Sequence, residues 1–208
     1  MEGLGQIALA RGDFAGARRS MQEALAIRSE MGDGLGAASS RADLAMLAIE
    51  DSRPRDAEAP LRESIEAFRK AKSGDDEAAA EAALARSMAA QGRPLEAQAA
   101  VRRAKGLLSA GSALPIRFEI ALAEAYIEGG PVGLADRRQR LTAVLGEAMN
   151  HGYTGYAYRI RLALCELEVR SGSAAEGRAC LVALGNEAAA KGFDLIARKA
   201  RIVKPAPG

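Results

Sequence analysis

Apolar and small residues return along this chain with two nested periods. The short one is helical. Leu61, Ile65 and Phe68 stand at i, i+4 and i+7, and Met21, Leu25 and Arg28 do the same with Ala24 beside them, which predicts one apolar stripe on each helix. The long one is about 40 residues. Ala17, Ala57, Ala97, Ala135 and Gly177 each lie five residues after a turn centred on Gly12, Ser52, Gly92, Gly130 and Gly172. Eight residues before those turns stand Leu4, Leu44, Leu84, Leu122 and Leu164, each followed by a small residue: Gly5, Ala45, Ala85, Ala123 and Cys165. A fixed period of this length marks a repeat array. Small side chains on both helices of a unit let them cross closely, while the leucine fills the seam to the next unit. Ala97 is therefore expected at a helix contact, and Ala78 on a looser edge.

Glycine and proline punctuate the pattern. Gly32 suits a left-handed helix C-cap and Asp33 an N-cap of the helix that follows. The breaks at Ser73-Gly74-Asp75, Ser109-Ala110-Gly111, His151-Gly152-Tyr153 and Lys191-Gly192-Phe193 are read alike. Pro54, Pro94 and Pro131 fall just after turns, where a first helical position tolerates a missing N–H. The units so marked are 1–32, 33–74, 75–111, 112–152 and 153–192. In the fourth, a helix from about Leu134 to Asn150 turns Leu141, Val144, Leu145 and Ala148 inward with a shifted register. Residues 193–203 predict a capping helix with Phe193, Ile196, Ala197, Ala200 and Val203 on one face and Arg198, Lys199 and Arg201 outward. Residues 204–208 form a tail.

Composition sharpens this to an all-α chain. Among 208 residues 49% are hydrophobic but only 4% aromatic, with no Trp, so alanine carries much of the core and β-branched runs are absent. The formal charge of +2 gives no electrostatic case for a nucleic-acid partner. The basic clusters Arg102-Arg103, Arg137-Arg138 and Arg198-Lys199 show no regular base-reading position from unit to unit. Charges break every apolar run before membrane-spanning length, and a cytoplasmic location is expected.

Candidate chemistry is sparse. The single histidine, His151, lies at a helix end without an orienting partner. Cys165 and Cys180 fall on successive helices of one unit and are expected to pack; two thiols and a distant histidine do not supply four metal ligands. The glycines of GLGQIALARG follow no strand, so a nucleotide-binding reading fails its context. Glu119 and Glu124 read as helix-face charges. No enzyme, metal or cofactor is implied.

The order leucine–small, Gly-Asp turn, alanine, then Ala24-Leu25 resembles the tetratricopeptide repeat, most closely in LGQIALARGDFAGARRSMQEALAIRSEMGD. HEAT and armadillo repeats share the period but lack this order. Ser52 at a turn glycine, and Ser64 and Leu184 at alanine positions, depart from the pattern. The 40-residue spacing is similar to the long-helix arrays of kinesin light chains and bacterial signalling regulators. The resemblance implies a right-handed superhelical solenoid of about five antiparallel helix pairs plus a C-terminal capping helix. It also implies that the first helix of each unit lines a concave groove. Carried over, the groove residues are Gln6, Met46, Glu50, Arg86, Arg117, Glu124, Glu128, Arg159, Glu166 and Arg170. Repeats that grip the carboxylate of a chaperone tail use lysines and asparagines here; Ala42, Asp43, Met46, Ala82, Ala83 and Arg86 supply no such clamp. The expected function is a non-catalytic scaffold holding a partner peptide or helix. The alternative is a regulatory module of a larger bacterial signalling protein, which the uncapped start at Met1 favours. Leu4 and Ile7 at the N-terminal edge are expected to self-associate.

Overall fold

The computed structural model describes residues 2–128, 133–171 and 174–202. Among them are eleven helices and no strand: α1 (Glu2–Ala10), α2 (Phe14–Glu30), α3 (Gly34–Glu50), α4 (Arg55–Lys70), α5 (Gly74–Ala90), α6 (Pro94–Leu107), α7 (Leu114–Ala125), α8 (Leu134–Asn150), α9 (Thr154–Arg170), α10 (Ala174–Ala190) and α11 (Asp194–Ile202). The turn residues Gly130 and Gly172, Pro131, Val203 and the tail lie outside the described residues.

The helices keep a stricter period than the glycines. The odd-numbered helices from α3 begin at 34, 74, 114, 154 and 194, and α2, α6, α8 and α10 at 14, 94, 134 and 174, forty residues per pair. Helix ends follow the same beat. Gly12, Gly32, Ser52, Lys72, Gly92, Gly152 and Gly192 all have φ between 59° and 78°, the left-handed cap that turns the chain out of a helix. The break at residue 73 differs from its sequence reading: Lys72 takes the left-handed conformation and Gly74 opens α5. At 108 the chain leaves α6 extended instead, with Ser109 N–H donating to Ser112 Oγ at 2.9 Å. Asp13 and Asp33 cap α2 and α3, accepting from the N–H groups of Gly16 and Gly36 at 2.8 Å.

Helices within a pair run antiparallel. In the fifth, Cys165 faces Cys180 while Val169, one turn on, faces Gly177. Small residues set these crossings. Ala17, Ala57 and Ala97 are completely buried, and the Gly5, Ala45, Ala85, Ala125 and Cys165 series on the partner helices is buried too. The strict register corrects the fourth pair. Counting from Gly130 falls two residues short, so the small-residue position of α8 is Arg137, 7% exposed, while Ala135 is exposed. The α7 position is Ala125, although Ala123 is buried as well. Ala78 is also completely buried, because α5 is enclosed by α3, α4, α6 and α7; it is no loose edge.

The chain forms two compact units, one holding α2–α7 with most of α1 and the other α8–α11 with residues 10–12. In the first unit, one cluster joins Ala17, Met21 and Leu47, and a larger one runs through Leu61, Ile65, Phe68, Leu84, Met88, Val101, Ile120 and Ile127. The departures from the alanine pattern are accommodated. Ser64 Oγ donates to Ala38 O at 2.9 Å, satisfying a buried hydroxyl. Arg28, at the register position of Phe68, reaches Gly36 O and Ser40 Oγ at 3.0 and 2.8 Å.

In the second unit, Tyr158, Leu162, Val169, Leu181, Leu184, Ile196 and Ala200 form the core, with Phe193 packed against it. Leu184, at an alanine position of the repeat, is completely buried. α11 presents Ile196, Ala197 and Ala200 inward and Arg198 and Arg201 outward; Lys199 is half-buried. Cys165 and Cys180 are joined in a disulfide with a Cα–Cα distance of 5.6 Å, a covalent link beyond the packing contact read from the sequence.

Candidate protein-interaction surface

The forty-residue register aligns Met46 on α3, Arg86 on α5 and Tyr126 at the end of α7. The three side chains meet. Arg86 Nη1 lies 3.9 Å from the Met46 sulfur, and its guanidinium carbon 5.8 Å from the Tyr126 ring centre. Glu50, one turn along α3, accepts from Arg86 Nη2 at 2.5 Å, and a Glu119 oxygen lies 3.9 Å from Nη1. Arg86 is 7% exposed. A guanidinium so buried is retained because carboxylates and a π face replace its water.

This arrangement ties three first helices together by one charged centre. It also bears on what the surface can hold. Arg86 already serves two carboxylates, so a ligand carboxylate would have to displace one of them. Of the alanines on the same helices, Ala42 and Ala79 are half-buried and Ala82 is completely buried.

The remaining expected groove residues divide. Gln6 is exposed and its amide donates to Asp43 at 3.3 Å, bridging α1 and α3. Glu124 pairs with Lys105 of α6, placing its carboxylate toward the second helix of the preceding pair; Tyr126 holds the register position instead. Glu128 is exposed, whereas its register neighbours Ala48 and Met88 are buried, so this position carries no common chemistry from unit to unit. Arg117 and Arg159 do not share a side. Arg159 aligns with Glu119, whereas Arg117 is exposed two residues earlier in its helix. Within the second unit, Arg159 lies 5.1 Å from the Tyr156 ring centre, and Arg170 Nε donates to Glu166 O at 3.4 Å. The sequence reading missed Glu119 and Tyr126. Register counted from helix starts, rather than from Gly130, would have found both.

Ion pairs elsewhere fasten first helices to second helices. Glu81, 2% exposed, accepts from Arg103 Nε and Nη2 at 2.7 and 2.8 Å, and this bond raises the arginine pKa. Tyr158 donates to Glu187 at 3.1 Å, and Arg161 to the other oxygen at 2.7 Å. The Arg161 bond draws the Glu187 pKa down, while burial first and the Glu187 bond second push Tyr158 up. Among the described residues no group of three or more His, Cys, Asp or Glu could hold a metal ion, and no helix is long and apolar enough to cross a membrane.

Paired helices in a forty-residue register, with one line of side chains crossing α3, α5 and α7, define an all-α helical-repeat fold. The tetratricopeptide repeat family model matches residues 1–70. The fold of the chain is similar to crystal structures of a Podosopora anserina protein described as a putative kinesin light chain with nearly identical TPR-like repeats. Both that structure and a single-substitution variant of it align at 16% identity with a TM-score of 0.51, covering 91% of this chain and 93% of theirs. That likeness is one of fold. No curated protein matches the sequence. Tetratricopeptide repeats are generally protein–protein interaction scaffolds.

Proposed function

We propose that this protein is a non-catalytic scaffold that holds a peptide or helix of a partner protein against the first helices of its repeats. The observation that carries the reading is the Met46–Arg86–Tyr126 line, set on three successive first helices and held by Glu50 and Glu119. Arginine, tyrosine and methionine are enriched where protein interfaces form, and a side chain already fixed by packing loses little freedom on binding. The first unit supplies the contact in this reading; Arg159, Glu166 and Arg170 on α9 are a separate candidate surface of the second unit. Exposed Leu4 and Ile7, 61% and 53% accessible, favour self-association as a further contact.

The test is selection of peptides from a random displayed library on the full chain, followed by titration against variants. Selected peptides should lose at least about tenfold in affinity on Tyr126→Ala, the scale of a typical interface anchor. Arg102→Ala, on the exposed side of α6, should leave them unchanged. Peptides that bind Tyr126→Ala as tightly as the parent would remove the site from the proposal.

A further inference from the structure

The register that aligns helices also gives every repeat an equivalent pair of positions. In the fifth pair these are residues 165 and 180; forty-residue steps back give Ala125/Arg140, Ala85/Ala100, Ala45/Pro60 and Gly5/Ser20. Only the fifth pair has two cysteines there, 5.6 Å apart at Cα, well within the range a disulfide spans. The crossing beside them is close. At the position of Ala17, Ala57 and Ala97, α10 has Gly177, where an added Cβ would stand 2.6 Å from Val169 N and 3.0 Å from Cys165 O.

The same helix carries less apolar bulk than α4 at matching positions. Where α4 buries Ile65 and Phe68, α10 has Gly185 and Ala188. Its two interior glycines each cost about 0.5–1 kcal/mol of helix stability relative to alanine. Gly185 in turn sets α11 close, with an added Cβ 3.5 Å from that of Ala200. A cross-link therefore stands on a helix whose last turns pack with small residues where α4 has Ile65 and Phe68.

We propose that Cys165–Cys180 is a redox-controlled staple: closed, it holds α10 and the α11 cap on α9; open, these helices unfold locally while α3–α6 stay folded. Closure proceeds by thiol–disulfide exchange with a small-molecule disulfide such as oxidised glutathione. One protein thiolate attacks a sulfur of the oxidant and releases one thiol; the second thiolate attacks the mixed disulfide and releases the other. Two protein thiols lose two electrons and two protons, and the oxidant leaves as two thiols. The device is independent of any partner.

The experiment is hydrogen–deuterium exchange on the full chain, after incubation with oxidised glutathione and after reduction with dithiothreitol. Alkylation of denatured samples counts free thiols. The oxidised chain should take up no alkyl group and the reduced chain two. On reduction, amides of α10 and α11 should exchange on the order of 100-fold faster, the closure effect of a loop of this length, with those of α3–α6 unchanged. The Cys165→Ala/Cys180→Ala variant should exchange like the reduced chain and ignore dithiothreitol. Two alkylated thiols after oxidised glutathione, equal exchange in both redox forms, or acceleration spread equally over α3–α6 would each overturn the proposal.

Discussion

Ser52 and Lys72 are the two non-glycine residues with positive φ among those described, both at 59°. A side chain in that conformation costs roughly 1–2 kcal/mol, partly offset by the chain entropy glycine loses on folding. Ser52→Gly and Lys72→Gly should therefore each stabilise by about 0.5–1 kcal/mol in chemical denaturation. A loss of stability would mean that the left-handed caps are not the turn device. Glycines inside helices behave oppositely from site to site. Gly146 has open space where a Cβ would go, and Gly177 has the Val169 backbone at 2.6 Å. Gly146→Ala should stabilise by about 0.5–1 kcal/mol, and Gly177→Ala should cost about 1–3 kcal/mol. Legibility at this scale followed chemistry. Ala17, Ala57, Ala97 and Gly177 were readable because only small residues fit a close helix crossing. Arg137 was not, because nothing in an arginine's own chemistry marks it as the occupant of an alanine's place.

Between elements, the second helices are tied to the first by charges that sequence periodicity does not reveal. Glu81 sits within a run of alanines on a helix buried on nearly every side, and Arg103 reaches it from α6. Removing the arginine strands a buried carboxylate. Arg103→Ala should cost about 2–3 kcal/mol, less than a fully buried pair would because the arginine side chain is 47% exposed. Arg102→Ala should stay within about 0.5 kcal/mol; equal effects would mean the Glu81 contact is not formed. In the second unit, the pH dependence has two edges. Glu187 has a lowered folded pKa, so its contribution is present above the unfolded carboxylate value and is lost as pH falls through the folded one. Tyr158 has a raised folded pKa, so its contribution is present below the unfolded phenol value and is lost as pH rises through the folded one. Tyr158→Phe should flatten the alkaline edge of the melting profile and leave the thermal response to acid mainly with Glu187. Helix existence was legible throughout, since each stripe repeats at 3.6. The fourth pair's register was not: counting from Gly130 shifts every α8 position by two.

At the scale of the whole molecule, the helices gather into two compact units. One holds α2–α7 with most of α1, and the other α8–α11 with residues 10–12. The class of fold was readable from period and turn order, and the line of Met46, Arg86 and Tyr126 was readable in two of its three members. The central claim is that this line, on α3, α5 and α7, receives the partner. Its most direct test is a backbone amide NMR map of the full chain titrated with a library-selected peptide. The account predicts shift changes concentrated around residues 46, 86 and 126, with α4 and α6 quiet. Changes concentrated on α4 and α6 would contradict it.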